Sequence, residues 1–133
     1  MIRLLLCLVA LTFGALTSAA CAAAIPDISH DELVAALKDK KVVLIDANGT
    51  ESYIAGHIPG AIDYDADKAT LAAHLPADKG ALIVAYCGGP QCHAYQAAAD
   101  DATSLGYTNV KHLREGISGW KDSGEPLETV TAK

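Results

Sequence analysis

Cys87 follows the apolar run Leu82-Ile83-Val84-Ala85-Tyr86 and precedes Gly88-Gly89-Pro90-Gln91-Cys92-His93. An apolar run of this length with β-branched members suits a strand buried on both faces. From about Cys92 the chain turns Ala-rich, with apolar residues at Ala94, Ala98, Ala102 and Leu105, and Gly106 stands where a left-handed helix cap belongs. The spacing predicts a strand, a thiol, a short Gly-rich loop and a helix beginning near Cys92. A cysteine at the carboxyl end of a strand and above a helix N-terminus meets unpaired N–H groups and the positive end of the helix dipole, which favour its thiolate. The glycines allow tight curvature, so the amides of Gly88, Gly89, Gln91, Cys92 and His93 can aim inward, while Pro90 adds rigidity and no donor. The chemistry expected of Cys87 is that of a nucleophilic sulfur, and its alternative is an inert buried thiol.

Cys92 lies five positions after Cys87. A loop curled around the first sulfur brings its far end back, within the roughly 4.4 to 6.8 Å Cα separation that a disulfide tolerates. Cys92 is therefore a resolving thiol for an oxidised Cys87, or else a residue packed against the first helical turn. His93 either attends the thiol or faces solvent. The loop carries no Lys or Arg, and the sixth position after Cys87 is His93 rather than the Arg needed to fork onto phosphate, which argues against phosphatase chemistry. Cys87, Cys92 and His93 would offer a metal three ligands on one loop in poor geometry, so neither a metal site nor any cofactor is expected.

Other elements must position this loop. Ser29-His30-Asp31-Glu32 reads as a capping box opening a helix that ends near Asp39. Val42-Val43-Leu44-Ile45 reads as a central strand delivering Asp46 to its carboxyl end. In Glu51 to Ala61, a helical turn closes at Gly56 and a second turn follows at Pro59-Gly60, with His57 most simply placed as an imidazole bonded to backbone. Ile62 and Tyr64 alternate with Asp63 in a short strand, Asp67 is placed to cap a helix through Leu75, Val110 to Leu113 forms another strand, and Gly116 to Asp122 a short helix. Strands alternating with helices predict an α/β domain, a central parallel sheet with helices on both faces.

Residues 1–24 have the layout of a secretory signal: Arg3, an apolar run to Leu16, then small residues up to Ile25-Pro26. The domain proper is then 25–133, in the periplasm or cell envelope. Ser18-Ala19-Ala20-Cys21 resembles a lipobox with Ser in place of its first aliphatic residue, so lipidation at Cys21 is an alternative and the one route to a membrane; a retained anchor is the third. Export leaves Cys87 and Cys92 as the domain's own thiols. The net charge of −6 argues against nucleic acid and anionic membrane as partners.

With these segments together, the chain resembles the single-domain rhodanese-like sulfurtransferases. The resemblance spans residues 29–128: Asp46 after a strand, Glu51 and Tyr53 before Gly56-His57-Ile58-Pro59-Gly60-Ala61, Cys87 after an apolar strand, Leu105-Gly106-Tyr107 after the helix, and Gly116, Trp120, Gly124 and Pro126. It implies a persulfide carried on Cys87, the loop Gly88 to His93 around it, Asp46 and His57 in support, a small sulfane-sulfur donor, and a thiol, cyanide or protein thiol as acceptor. Two departures stand out: Asn48 replaces an Arg that the family often carries, and Glu115 replaces a Gly. The loop's lack of cations also argues against thiosulfate as the favoured donor. Readings from other classes are a dithiol redox protein cycling Cys87 and Cys92, and a rhodanese-like binding module without catalysis.

Overall fold

Val42–Asp46 (β1) and Leu82–Tyr86 (β3) pair in parallel at the centre of the sheet in the computed structural model, which describes residues 24–131. Ile62–Asp63 (β2) and Asn109–His112 (β4) flank them in the order β2-β1-β3-β4, every pair parallel. The segments expected to hold the leader, Cys7 and Cys21 lie outside the described residues. Successive side chains of a strand point to opposite faces. Ile45, Ile83 and Ala85 thus enter one apolar layer, while Leu44, Val84 and Tyr86 enter the other. The first layer is closed by Tyr95–Ser104 (α5), through Ala98, Ala99 and Ala102, and by Leu71 of the short helix Leu71–His74 (α4). His30–Lys38 (α1) and Gly116–Asp122 (α6) close the second, through Leu33 and Trp120. This is the α/β architecture expected, with both faces of a parallel sheet covered.

Local chemistry explains where the elements start and stop. The Ser29 capping box forms: Glu32 N donates to Ser29 Oγ at 3.3 Å, and Ser29 N donates to Glu32 Oε2 at 2.9 Å. These bonds hold the Glu32 carboxyl below its usual value. After Thr50–Ala55 (α2), the next helical start differs from the expectation. Asp63, not Asp67, caps Tyr64–Asp67 (α3), its carboxylate accepting from Asp65 N and Ala66 N. Tyr64 is thereby drawn out of the strand into the helix, and the stretch up to His74 breaks into α3, a 3₁₀ turn at Lys68–Thr70 and α4. The second correction concerns α5, which begins at Tyr95 rather than near Cys92. Cys92 N donates to Gly89 O at 2.9 Å, so a turn inside the loop uses the amide and keeps Cys92 out of the helix. Ala94 and Leu105 consequently lie exposed, and Ala99 joins the buried stripe. At its far end α5 stops as expected: Gly106 has φ +95°, Tyr107 N bonds to Ala102 O and Gly106 N to Thr103 O, a Schellman cap.

One polar network crosses the second layer. Tyr86 OH donates to Asp46 Oδ2 at 2.7 Å and accepts from Ile58 N at 3.0 Å; Asp46 Oδ1 accepts from Asn48 N at 2.7 Å and Asn48 Nδ2 at 2.8 Å. Asp46 and Tyr86 are fully buried, and burial beside the carboxylate pushes the Tyr86 phenol far above its usual value. The network binds the end of β1, the end of β3 and the turn at Ile58. Tyr86→Phe leaves a carboxylate oxygen and an N–H unpaired in the interior, each costing about 1 to 3 kcal/mol. Urea unfolding of the reduced variant is expected to show a loss of about 3 kcal/mol; a loss below about 1 kcal/mol would mean that the network is dispensable.

Candidate active site

All four strands point their carboxyl ends the same way, and loops at that edge of a parallel sheet are where ligands bind. Cys87 directly follows β3 there and is 1% exposed. Its loop is held from the side by the start of α6: Ile117 N donates to Cys87 O at 2.9 Å, Ser118 N to Gly88 O at 3.0 Å, and Ser118 Oγ to Gly88 O. The first N–H groups of a helix lack partners within it, and the loop carbonyls satisfy these two. With the carbonyls turned toward α6, the amides of Gly88, Gly89, Gln91 and His93 make no hydrogen bond among the described residues. They are four of the five donors expected from the sequence; the fifth, at Cys92, is the one committed to Gly89. Pro90 sits mid-loop without a donor.

Cys87 and Cys92 are joined as a disulfide, their Cα atoms 6.2 Å apart. Cys92 is half-buried and, with Pro90 and His93, lines a cavity of about 300 Å³. Asp27, His112 and Arg114 line it too. His112 closes β4, so the topology carries it to the same edge as Cys87. Its Nδ1 donates to Asp27 Oδ1 at 3.0 Å, its ring stacks on Tyr95 with centroids 3.4 Å apart, and Arg114 Nη1 lies 3.7 Å from Asp27 Oδ2. Burial lowers the His112 pKa, against the pull of the Asp27 carboxylate.

The other two expected site residues, Asp46 and His57, are not among the residues that line the cavity. Asp46 receives both Asn48 bonds, and Asn48 in turn lies beside Gly88, so Asn48 links the buried carboxylate to the Cys loop. His57 stacks on Tyr53 at 3.6 Å, its Nδ1 donates to Tyr53 O at 2.8 Å, and its backbone pairs with Glu128. This is the backbone-bonded imidazole expected. Sequence reasoning missed Asp27, His112 and Ser118 because no motif surrounds them. The available signal was positional: His112 and Arg114 stand at the carboxyl end of a parallel strand, the edge that Cys87 and Asp46 already mark.

Gly116 is where α6 meets the loop. Its φ is +58°, and a Cβ there would fall onto Cys87 O and 2.7 Å from Gly89 N, both backbone atoms. Gly124 has φ +75° with nothing within 4 Å of its Cβ position. Gly124→Ala therefore tests strain alone, about 1 to 2 kcal/mol, whereas Gly116→Ala adds a displaced loop. In thermal melts Gly116→Ala is expected to cost about 10 °C or more and clearly exceed Gly124→Ala. Equal losses would show that the loop yields freely.

A family model described as "Rhodanese-like domain" matches residues 29–123. An HTH-type transcriptional regulator of Mycobacterium tuberculosis is 37% identical over 102 residues, covering 76% of this chain and 44% of the regulator, so the chain spans less than half of that relative. The thiosulfate sulfurtransferase GlpE of Pseudomonas entomophila is 31% identical over 100 residues, covering 74% of this chain and 87% of GlpE. Among solved structures, a thiosulfate sulfurtransferase from Pseudomonas aeruginosa aligns with a TM-score of 0.63 at 25% identity, over 82% of this chain and 21% of that one. The parallel sheet, the loop that leaves β3 at Cys87 and the matched span agree, and the chain belongs to the rhodanese-like family.

Proposed function

We propose that the domain is a sulfurtransferase in which reduced Cys87 carries sulfane sulfur as a persulfide. The observation that carries this reading is the loop: a buried cysteine at the end of β3 opens a segment with two carbonyls fastened to α6 and four amides that have no hydrogen-bond partner among the described residues. Such an array stabilises the anion of a thiolate or persulfide without a cationic side chain. The Cys87 thiolate attacks the outer sulfur of a persulfide donor, the donor's sulfur–sulfur bond breaks, and the donor leaves as its thiolate. A thiol or cyanide then attacks the terminal sulfur and Cys87 departs as thiolate again. Kinship with GlpE supports the reaction class. The donor is proposed to be a persulfide rather than thiosulfate, because the loop that follows Cys87 has no Lys or Arg.

The disulfide favours a second property of the same site. While Cys87 is bonded to Cys92 it cannot accept sulfur, so the oxidised protein is inactive in this scheme. An exported domain, as the layout of residues 1–24 suggests, would meet the oxidising conditions in which that bond persists. The proposal is tested by treating reduced protein with a persulfide donor and weighing it. Wild type is expected to gain the mass of one sulfur, lost again on adding cyanide with release of thiocyanate, and Cys87→Ser to gain nothing. Cys92→Ser is expected to turn over without added reductant. Turnover by Cys87→Ser at the wild-type rate would remove Cys87 from the chemistry. The N-terminal mass of protein exported from a bacterial host reads the leader directly: cleavage after Ala22 or Ala24, or a lipid on Cys21, fits the proposal, and an intact Met1 in the cytoplasm contradicts it.

A further inference from the structure

The two sulfurs of the disulfide differ in access. Cys87 is 1% exposed beneath its loop, while Cys92 is half-buried and lines the 300 Å³ cavity with Asp27, His112 and Arg114. Thiol–disulfide exchange proceeds by attack of a thiolate on one sulfur and departure of the other, faster when the leaving thiolate is the better stabilised. A thiol arriving through the cavity meets Cys92, and the group that leaves is Cys87, which heads the loop whose amides have no hydrogen-bond partner among the described residues.

The rest of the lining has matching chemistry. A carboxylate only accepts hydrogen bonds, so the proton of the 3.0 Å contact between His112 and Asp27 sits on Nδ1. That leaves Nε2 as the acceptor, and it has no hydrogen-bond partner among the described residues. The titratable and charged groups around this ring are Asp27, Arg114 and Glu115, with Tyr95 stacked on its face and His93 lining the same cavity. Arg114 is the cavity's cation; its side chain is 69% exposed and meets Asp27 through one nitrogen only, at 3.7 Å, leaving other donors of the guanidinium for a ligand.

We propose that this cavity binds a small thiol bearing a carboxylate and is the site at which the Cys87–Cys92 disulfide is reduced. Arg114 takes the carboxylate and His112 Nε2 takes the thiol proton. The thiolate bonds to Cys92 Sγ as the bond to Cys87 breaks, the electron pair leaving on Cys87. A second molecule of the thiol attacks the small-molecule sulfur of this mixed disulfide, and Cys92 leaves and receives the proton from His112. Two thiols are oxidised to one small disulfide, and the protein disulfide is reduced to the Cys87 thiolate and the Cys92 thiol; the remaining proton goes to solvent. The step precedes sulfur loading and is read without a sulfane donor, so its failure and that of sulfur transfer are separable.

The test uses the oxidised full chain with mercaptoacetate, 2-mercaptoethanol and cysteamine, rates being taken from acid-quenched free-thiol counts and normalised to each thiol's thiolate concentration. Mercaptoacetate is expected to react about tenfold faster than 2-mercaptoethanol, the worth of one charge-assisted contact, and cysteamine slower still. Arg114→Gln should abolish that ranking, bringing mercaptoacetate to within about twofold of 2-mercaptoethanol measured on the same variant. Peptide mapping of the quenched intermediate should place the mercaptoacetate on Cys92. Between pH 8 and 6 the wild-type rate should fall less than the thiolate fraction does, and His112→Gln should follow the thiolate fraction. Should His112→Gln not fold, Asp27→Asn at the rim, which weakens the same base, is expected to shift the profile the same way. Adducts on Cys87, rates ranked only by intrinsic thiolate reactivity, or a pH profile insensitive to both variants would overturn the proposal.

Discussion

The Tyr86 hydroxyl is the point through which the rest of the structure is coupled. It sits one residue before Cys87, gives its proton to Asp46 at the end of β1, and accepts the amide of Ile58 from the turn that enters β2. A phenol buried among apolar side chains must have both partners or cost its desolvation. Any shift of β3 relative to β1, or of the turn relative to either, breaks one of these bonds. The direction from which Cys87 leaves the sheet is therefore fixed by a hydrogen bond rather than by packing alone.

The same economy governs the loop. Helix α6 needs acceptors for its first amides, and the carbonyls of Cys87 and Gly88 need donors; the bonds from Ile117 and Ser118 meet both needs at once. The close approach requires a residue without a side chain at position 116, and this explains a glycine that packing in the core would not demand. Asn48, reached from the opposite side, ties Asp46 beneath Gly88 where the family often carries an Arg. Rigidity here comes from neutral dipoles, consistent with a loop that lacks cations.

Much of this was legible in the sequence because it rests on local rules. The buried strands, the capping box at Ser29, the Gly106 cap and the placement of Cys87 follow from periodicity and turn residues that act within a few positions. What escaped was decided at longer range or by competition between near-equivalent groups. Asp63 and Asp67 are both plausible caps, and the strand end selects Asp63. Whether helix or loop claims Cys92 depends on the bond to Gly89, which composition does not reveal. His112 and Asp27 are 85 residues apart and meet only because the segment before α1 bridges to β4. No spacing rule reaches that far.

The disulfide closes a ring of very few residues. Constraining so short a segment removes little freedom from the unfolded chain compared with a bond that spans a domain. The loop is also fixed by contacts that do not involve either sulfur. Oxidised and reduced forms should thus differ at the loop while sharing one core. Proteases and chaperones that survey proteins by recognising exposed interior would then be blind to the redox state of this domain. Its oxidised form would persist as a reservoir rather than be cleared as damage.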